Sequence, residues 1–291
     1  MVLSMAPPVT NSPQTLADAL HTATLLLERS SSSARLDAEL LLEYVTGQSR
    51  TSFRAHPERG LPAQAGWAFQ QLVMRRLKGE PIAYIRGQQE FWSLLLEVSP
   101  AVLIPRPETE TLVERALAHI DESAPARVLD LGTGSGAIAL AIASERTSAR
   151  VVATDVSKEA LAIAGRNVQR LQTGNVTCVH GSWYAPVSAE RFDMIVSNPP
   201  YIAVDDSDLD ADVRRYEPAS ALFGGITGLE ALQTIVQGAA SHLTDNGWLL
   251  CEHGWKQGPG VRNLLVRAGF VNVRSHPDLA GRERVTEGQR Q

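Results

Sequence analysis

The stretch Arg127-Val128-Leu129-Asp130-Leu131-Gly132-Thr133-Gly134-Ser135-Gly136-Ala137-Ile138-Ala139-Leu140 decides the fold of this chain. Its first five residues are the short apolar run of a buried strand, its glycines form a loop, and residues 137–143 form a helix that packs tightly through alanines. A second strand, Val151-Val152-Ala153-Thr154, ends in Asp155, about 25 residues beyond Asp130. Strand, glycine loop, helix and acid-terminated strand make the βαβ unit of a nucleoside-cofactor site. Glycines let the backbone approach the ligand, and the acid takes the ribose hydroxyls. By form alone Gly132 to Ala137 also satisfies G-x-G-x-x-A, so dehydrogenase and methyltransferase both stay open at this point.

Downstream, Ser157 caps a helix carrying Ala160, Leu161, Ala164, Val168 and Leu171, and residues 176–179 form a third strand with Gly181-Ser182-Trp183-Tyr184 just beyond its end. The fourth strand, residues 192–196, runs into Ser197-Asn198-Pro199-Pro200-Tyr201. Open α/β sheets bind ligands outside the carboxyl ends of their strands. The glycine loop, Asp155, Trp183 and Asn198 are therefore expected to converge on one cleft, with Trp183 flanking the adenine of the cofactor. Asn198 to Tyr201 suit methyl transfer onto a planar nitrogen, whose delocalised lone pair is a poor nucleophile but whose hydrogens are good donors. The Asn198 side-chain oxygen and the Pro199 carbonyl can each accept one N–H and aim the lone pair at a methyl donor. The two prolines fix φ and remove two backbone donors, and Tyr201 can cover the planar group by stacking.

The rest of the chain frames this unit. Residues 205–212 read as an acidic loop beside the cleft. Helices over 228–243 and 259–268, and strands over 247–252, 271–275 and 283–286, complete the sheet. His253 follows the fifth strand without any serine or cysteine nucleophile motif, and a structural role is expected. Before the glycine loop, residues 1–13 read as a loose tail. Helical periodicity then appears over 15–28 and 34–46, with Gly47 as a stop, and from Pro62 to about Gly79. Residues 81–102 turn aromatic and β-branched, as a hairpin would. In Ile104-Pro105-Arg106-Pro107-Glu108-Thr109-Glu110 the prolines and glutamates are helix-start chemistry, and such a segment can equally wall a nucleotide site. The expected division is a helical domain over 1–80, a hairpin linker over 81–104 and a catalytic α/β domain over 105–291.

Composition narrows the classes. With 291 residues, 44% hydrophobic content and a formal net charge of -5, the chain is an ordinary globular protein without the global basic field of a duplex binder. Cys178 and Cys251 each lie in an apolar segment and read as reduced core thiols, and the histidines show no metal-ligand spacing. Neither a signal peptide nor a spanning helix is evident, so no membrane association and a cytoplasmic location are expected.

On these residues the chain resembles the HemK/PrmC family, which methylates the side-chain amide of a glutamine in peptide chain release factors. The resemblance runs over roughly residues 36–287. It is strongest in Leu103 to Glu110, Asp130 to Leu140 and Ser197 to Ile202, with Glu217-Pro218, Ala221-Leu222, Glu252-His253-Gly254 and Gln257-Gly258 in support. It implies a Rossmann-like class I S-adenosylmethionine-dependent methyltransferase sheet preceded by a small all-α domain that recognises the release factor. By position it implies that Gly132, Thr133, Gly134, Ser135, Gly136, Asp155 and Trp183 contact S-adenosyl-L-methionine. Asn198 would sit between donor and acceptor, and Asn198, Pro199, Pro200 and Tyr201 would grip the glutamine of Gly-Gly-Gln. The Asn-Pro-Pro-Tyr motif is shared with adenine-N6 methyltransferases of nucleic acid, which stand as the alternative. The segment before the glycine loop and the helical N-terminus favour the protein substrate, with no nucleic acid expected and a monomeric chain. Two departures touch the substrate side: Ala219-Ser220 stand where the family more often has a basic residue, and Phe223-Gly224-Gly225-Ile226-Thr227-Gly228 is an altered small-residue loop.

Overall fold

The computed structural model describes residues 15–291, so the tail expected over 1–13 lies outside the described residues. The chain divides into two compact units, Met1–Arg86 and Gly87–Gln291.

The first unit is helical. Helix α1 (Leu16–Leu27) opens on a capping box in which Thr15 and Asp18 each bond the other's backbone N–H, satisfying donors that a helix start leaves free. Its apolar residues Leu16, Leu20, Ala23 and Leu27 recur at helical spacing and are buried. Helix α2 (Ala34–Thr46) stops at Gly47, whose φ of 66° is the left-handed conformation glycine favours. It buries two carboxylates. Glu39 is held by Arg35 at 2.8 Å and Arg50 at 2.9 Å, and Asp37 by Arg76 at 2.8 Å. The short segment after α2 is helix α3 (Arg50–Ala55), and α4 (Ala63–Leu77) follows Pro62. Residues expected to begin the hairpin instead form helix α5 (Ile82–Arg86), because Pro81 starts a turn whose carbonyl accepts from Tyr84 N and Ile85 N, both at 3.0 Å.

The second unit begins with the hairpin itself, β1 (Gln88–Phe91) and β2 (Leu94–Glu97). Its two-residue turn puts Trp92 and Ser93 at φ of 52° and 59°. Bonds from Trp92 N to Glu110 Oε1 (2.9 Å) and from Ser93 N to Glu90 Oε1 (2.8 Å) hold that costly geometry. Helix α6 (Glu110–His119) then leads to strand β3 (Arg127–Leu131), helix α7 (Ala137–Glu145), strand β4 (Arg150–Asp155), helix α8 (Lys158–Leu171), strand β5 (Val176–His180) and strand β6 (Phe192–Ser197). A short pair, β7 (Ile202–Ala203) and β8 (Phe223–Gly225), brackets α9 (Ala211–Tyr216) and α10 (Ala219–Leu222). Helix α11 (Glu230–His242), strand β9 (Leu243–Glu252), helix α12 (Gly258–Arg267) and strands β10 (Val271–Pro277) and β11 (Glu283–Gln289) close the unit.

The main sheet has the order β10-β11-β9-β6-β3-β4-β5. β5, β4, β3, β6 and β9 are parallel, and β11 and β10 join antiparallel. Alternation along the strands feeds two cores. Val128, Met194 and Val196 pack with α6 and α7 on one face, and Leu129, Leu131 and Ile195 with α11 and α12 on the other. Fully buried Asn167 staples hairpin, helix and glycine loop together. Its Oδ1 accepts from Glu97 N at 2.7 Å, while Nδ2 donates to Glu97 O at 3.0 Å and Ser135 O at 2.9 Å. Both cysteines are unpaired thiols, Cys251 buried and Cys178 partly so.

Candidate active site

Sheet growth reverses between β5 and β6: β4 and β5 extend from one side of β3, and β6 and β9 from the other. A ligand cleft is expected outside such a switch point. One opens there, with ≈ 1060 Å³ of empty space including its solvent-filled mouth, lined by Gly132 to Ser135, Asp155, Trp183, Asn198 and Pro200 among others.

The glycine loop shows why glycine stands at each position. Gly132 and Gly134 have φ of 72° and 58°, and a Cβ on Gly134 would meet nothing within 4 Å, so its absence leaves room at the cleft wall. Gly136 serves packing. Its Cβ would lie 3.2 Å from Leu140 Cδ1 and 3.4 Å from Ala164 Cβ, where α7 and α8 approach, and it does not line the cleft. Gly132 N and Thr133 N both donate to Thr154 O at 2.9 Å, tying the loop to β4. Asp155 is fixed by two backbone donors, Gly134 N to Oδ2 at 2.9 Å and Ser157 N to Oδ1 at 2.8 Å. Each carboxylate oxygen keeps accepting capacity toward the cleft. Trp183 lies at the rim with φ of 45°, a conformation that strains a bulky residue, and its Cζ3 is 3.8 Å from where a Gly132 Cβ would be.

At the end of β6, Asn198 Nδ2 donates to Thr109 Oγ1 at 3.2 Å, while its Oδ1 is buried without a hydrogen-bond partner. Pro199 is buried and Pro200 lines the cleft. Tyr201 differs from expectation. Its ring packs with the α11 and α12 core and is not part of the cleft lining, and its hydroxyl donates to Glu252 Oε1 at 3.2 Å. The residue that follows two fixed prolines thus anchors the motif through its hydroxyl. Burial, with the Glu252 carboxylate beside it, holds the Tyr201 phenol far above its ordinary range, so it is no base. Burial also pushes the Glu252 carboxyl up to about 7 against hydrogen bonds from Thr109 and Tyr201. His253 lies outside the lining with both ring nitrogens engaged: Nδ1 donates to Gly254 O at 2.9 Å and Nε2 accepts from Thr286 Oγ1 at 2.7 Å.

Sequence reading assigned no task to several residues that shape the cleft. Glu217 is buried, accepts from Ile104 N at 3.2 Å and pairs with Arg106. This anchors the prolyl segment to Pro218, which begins α10 and places Ser220 and Ala221 in the cleft wall. Gly224 and Gly228 allow the altered loop to touch the motif's backbone. A Cβ at Gly224 would lie 2.3 Å from Pro200 O, and one at Gly228 would lie 2.4 Å from Tyr201 O. Gln257 Nε2 then donates to Tyr201 O at 3.0 Å. The signal available beforehand was the glycine spacing of 224–228, without the partner it meets. Similarly, the acidic loop ends earlier than expected, because Asp210 caps α9 through Asp212 N at 2.7 Å.

A mixed seven-stranded sheet of this order, with glycine loop and acid-terminated β4 at its switch point and Asn-Pro-Pro-Tyr after β6, is the architecture of a class I methyltransferase. Two family descriptions match the chain, "PrmC N-terminal domain" over residues 18–87 and "Methyltransferase small domain" over 109–219. The release factor glutamine methyltransferase of Xylella fastidiosa (strain Temecula1) is 51% identical over 255 residues, 88% of this chain and 93% of that protein. That of Salmonella typhimurium is 48% identical over 93% of this chain and 97% of its own. The chain belongs to the release factor glutamine methyltransferase family. Among solved structures, the Thermus thermophilus 16S rRNA N2 G1207 methyltransferase in complex with AdoMet and guanosine shares the fold at a TM-score of 0.53 and 19% identity, over 70% of this chain and 50% of that one. No described helix is long and apolar enough to cross a membrane, and the described residues hold no cluster suited to a metal ion.

Proposed function

We propose that the chain transfers a methyl group from S-adenosylmethionine to the side-chain N5 nitrogen of the Gly-Gly-Gln glutamine in peptide chain release factors. The names of its relatives support the substrate. The observation that carries the chemistry is Asn198 Oδ1, a buried acceptor without a partner at the end of β6. An unpaired buried acceptor is costly unless a ligand donor meets it, and a primary amide brings two N–H donors. Asn198 Oδ1 takes one and the Pro199 carbonyl the other, turning the nitrogen lone pair toward the cofactor side of the cleft. Bound S-adenosylmethionine supplies an electrophilic methyl group. The fit to it rests on the open space over Gly134, on the tethered carboxylate of Asp155 for ribose hydroxyls, and on Trp183 at the rim beside Gly132. Asp155 is the one titratable residue of the lining, so catalysis here is orientation: no side chain takes the amide proton before the nitrogen is alkylated and becomes acidic.

Replacing Asp155 with alanine removes the ribose contact, one tether of the glycine loop at Gly134 N and one of the α8 start at Ser157 N. S-adenosylhomocysteine is expected to bind roughly 10- to 100-fold more weakly, about 1.4 to 2.8 kcal/mol, by calorimetric titration. Unchanged affinity would remove Asp155 from the cofactor site. An adenine-N6 acceptor also presents two N–H donors, so Asn198 alone does not separate the substrates. The net charge of -5 favours a protein, acted on by a monomeric chain in the cytoplasm.

A further inference from the structure

We infer that Gln257 is a positioning residue for the acceptor grip: its side-chain amide fixes the carboxyl end of the Asn-Pro-Pro-Tyr motif and so aims the Pro199 carbonyl. The inference rests on the methyl-transfer reading above. Both ends of that amide are engaged. Oε1 accepts from Gly254 N at 2.8 Å. With the oxygen end so occupied, Nε2 faces two carbonyls, and its two N–H groups go to Tyr201 O at 3.0 Å and Gly228 O at 3.4 Å. One amide thus joins the end of β9, the motif and the 223–228 loop. Glycine at 228 keeps this meeting point open, since a Cβ there would lie 2.4 Å from Tyr201 O and 3.0 Å from Gln257 Nε2.

The carrier of this amide is itself tied down. Gln257 N donates to Gly254 O at 2.8 Å, closing the turn after β9, and Gln257 O accepts from Val261 N at 3.0 Å as α12 begins. His253 N donates to Arg284 O of β11 at 2.8 Å. The motif, in turn, has few free torsions with which to absorb a displacement. At its amino end Ser197 pairs with Leu131 and Cys251 inside the sheet, and its Oγ donates to Leu131 O at 2.7 Å. Beyond Ser197, the prolines fix φ at 199 and 200, and a residue that precedes proline is confined in ψ, which restricts Asn198 and Pro199. A segment this stiff, held at both ends, has one direction for each carbonyl between them. The other supports at the Tyr201 end are weaker holds on the main chain. Glu252 grips the tip of a side chain that turns about its own χ angles, and β7 is two residues long with a register shift against β8. Without Gln257 the 198–200 segment pivots about Ser197, carrying Pro199 O and the Asn198 side chain out of line with the two N–H groups of one amide nitrogen.

The test is Gln257→Glu, which keeps the shape and the acceptor for Gly254 N but sets an oxygen against Tyr201 O, beside Gln257→Ala, which removes both donors without adding a charge. Q257E is expected to lower kcat on a release factor on the order of 10- to 100-fold and Q257A about 10-fold, with kcat and kcat/KM falling together and S-adenosylhomocysteine affinity near wild type. A readout that needs no substrate accompanies these: in protein labelled with ¹⁵N-asparagine, the side-chain NH₂ resonance identified by its loss in N198A should shift in both variants. Wild-type kcat in the two variants, even with a lowered thermal midpoint, overturns the inference and leaves Gln257 a residue of stability alone. An unmoved Asn198 resonance in Q257E overturns it as well. If wild type itself methylates no release factor, the functional reading fails separately, and the resonance still decides whether Gln257 holds the motif.

Discussion

Asn198→Ala is expected to lower turnover on a release factor on the order of 100- to 1,000-fold, about 3 to 4 kcal/mol, with S-adenosylhomocysteine affinity close to wild type. The magnitude is that of removing one preorganised hydrogen-bonding group from a buried site. The partition follows from placement: Asn198 Oδ1 has no protein partner, whereas the glycine loop and Asp155 are held by Thr154, Gly134 and Ser157 without any contribution from Asn198. Single-turnover rates beside a cofactor titration measure both halves. Equal loss of rate and cofactor affinity would make Asn198 a structural residue of the cleft, and an unchanged rate would remove it from the mechanism.

The second large effect is expected away from the reacting atoms. In Gly224→Ala the new methyl would lie 2.3 Å from Pro200 O and 2.9 Å from Gly228 O, so either the 223–228 loop or the Asn-Pro-Pro-Tyr backbone must move. Two consecutive prolines make the motif a poor absorber of that shift, and a displacement near 1 Å at an orienting group costs roughly 100-fold in rate. The thermal midpoint should fall little, because the collision lies at the short β7 and β8 pair and not in either core. Activity and calorimetry of G224A against wild type check this. A nearly wild-type rate would mean that the loop yields freely and does not support the motif.

These two sites mark how far the sequence is legible. The elements that place the cleft are written locally: a strand, glycines at 132 and 134, an acid closing the next strand, an amide before two prolines. Each depends on neighbours within a few residues, and the switch point then gathers them without further instruction. The supports are written across distance. Thr109 meets Asn198 89 positions away, Ile104 meets Glu217 113 away, and Gln257 reaches Tyr201 56 away. No periodicity connects such pairs. Tyr201 shows the limit of local reading: a buried carboxylate on β9, 51 positions away, claims its hydroxyl. Helix α5 shows it too, since Tyr84 and Ile85 read as strand residues until the Pro81 carbonyl takes their N–H groups.

The altered loop also gains a meaning. Its glycines at 224 and 228 stand where a Cβ would strike the motif, while Ile226 between them is exposed. The prolyl segment is bound in the same way, through Arg106 and Ile104 to Glu217, so wall and motif are held by opposite ends of the 217–228 stretch.

The most direct measurement is transfer of a labelled methyl group from S-adenosylmethionine to an intact release factor, compared with the same factor carrying alanine for the Gly-Gly-Gln glutamine. Label on the first, mapped to the glutamine side-chain nitrogen, and none on the second is the predicted result. Equal labelling of both factors, or label appearing on nucleic acid in place of protein, would contradict it.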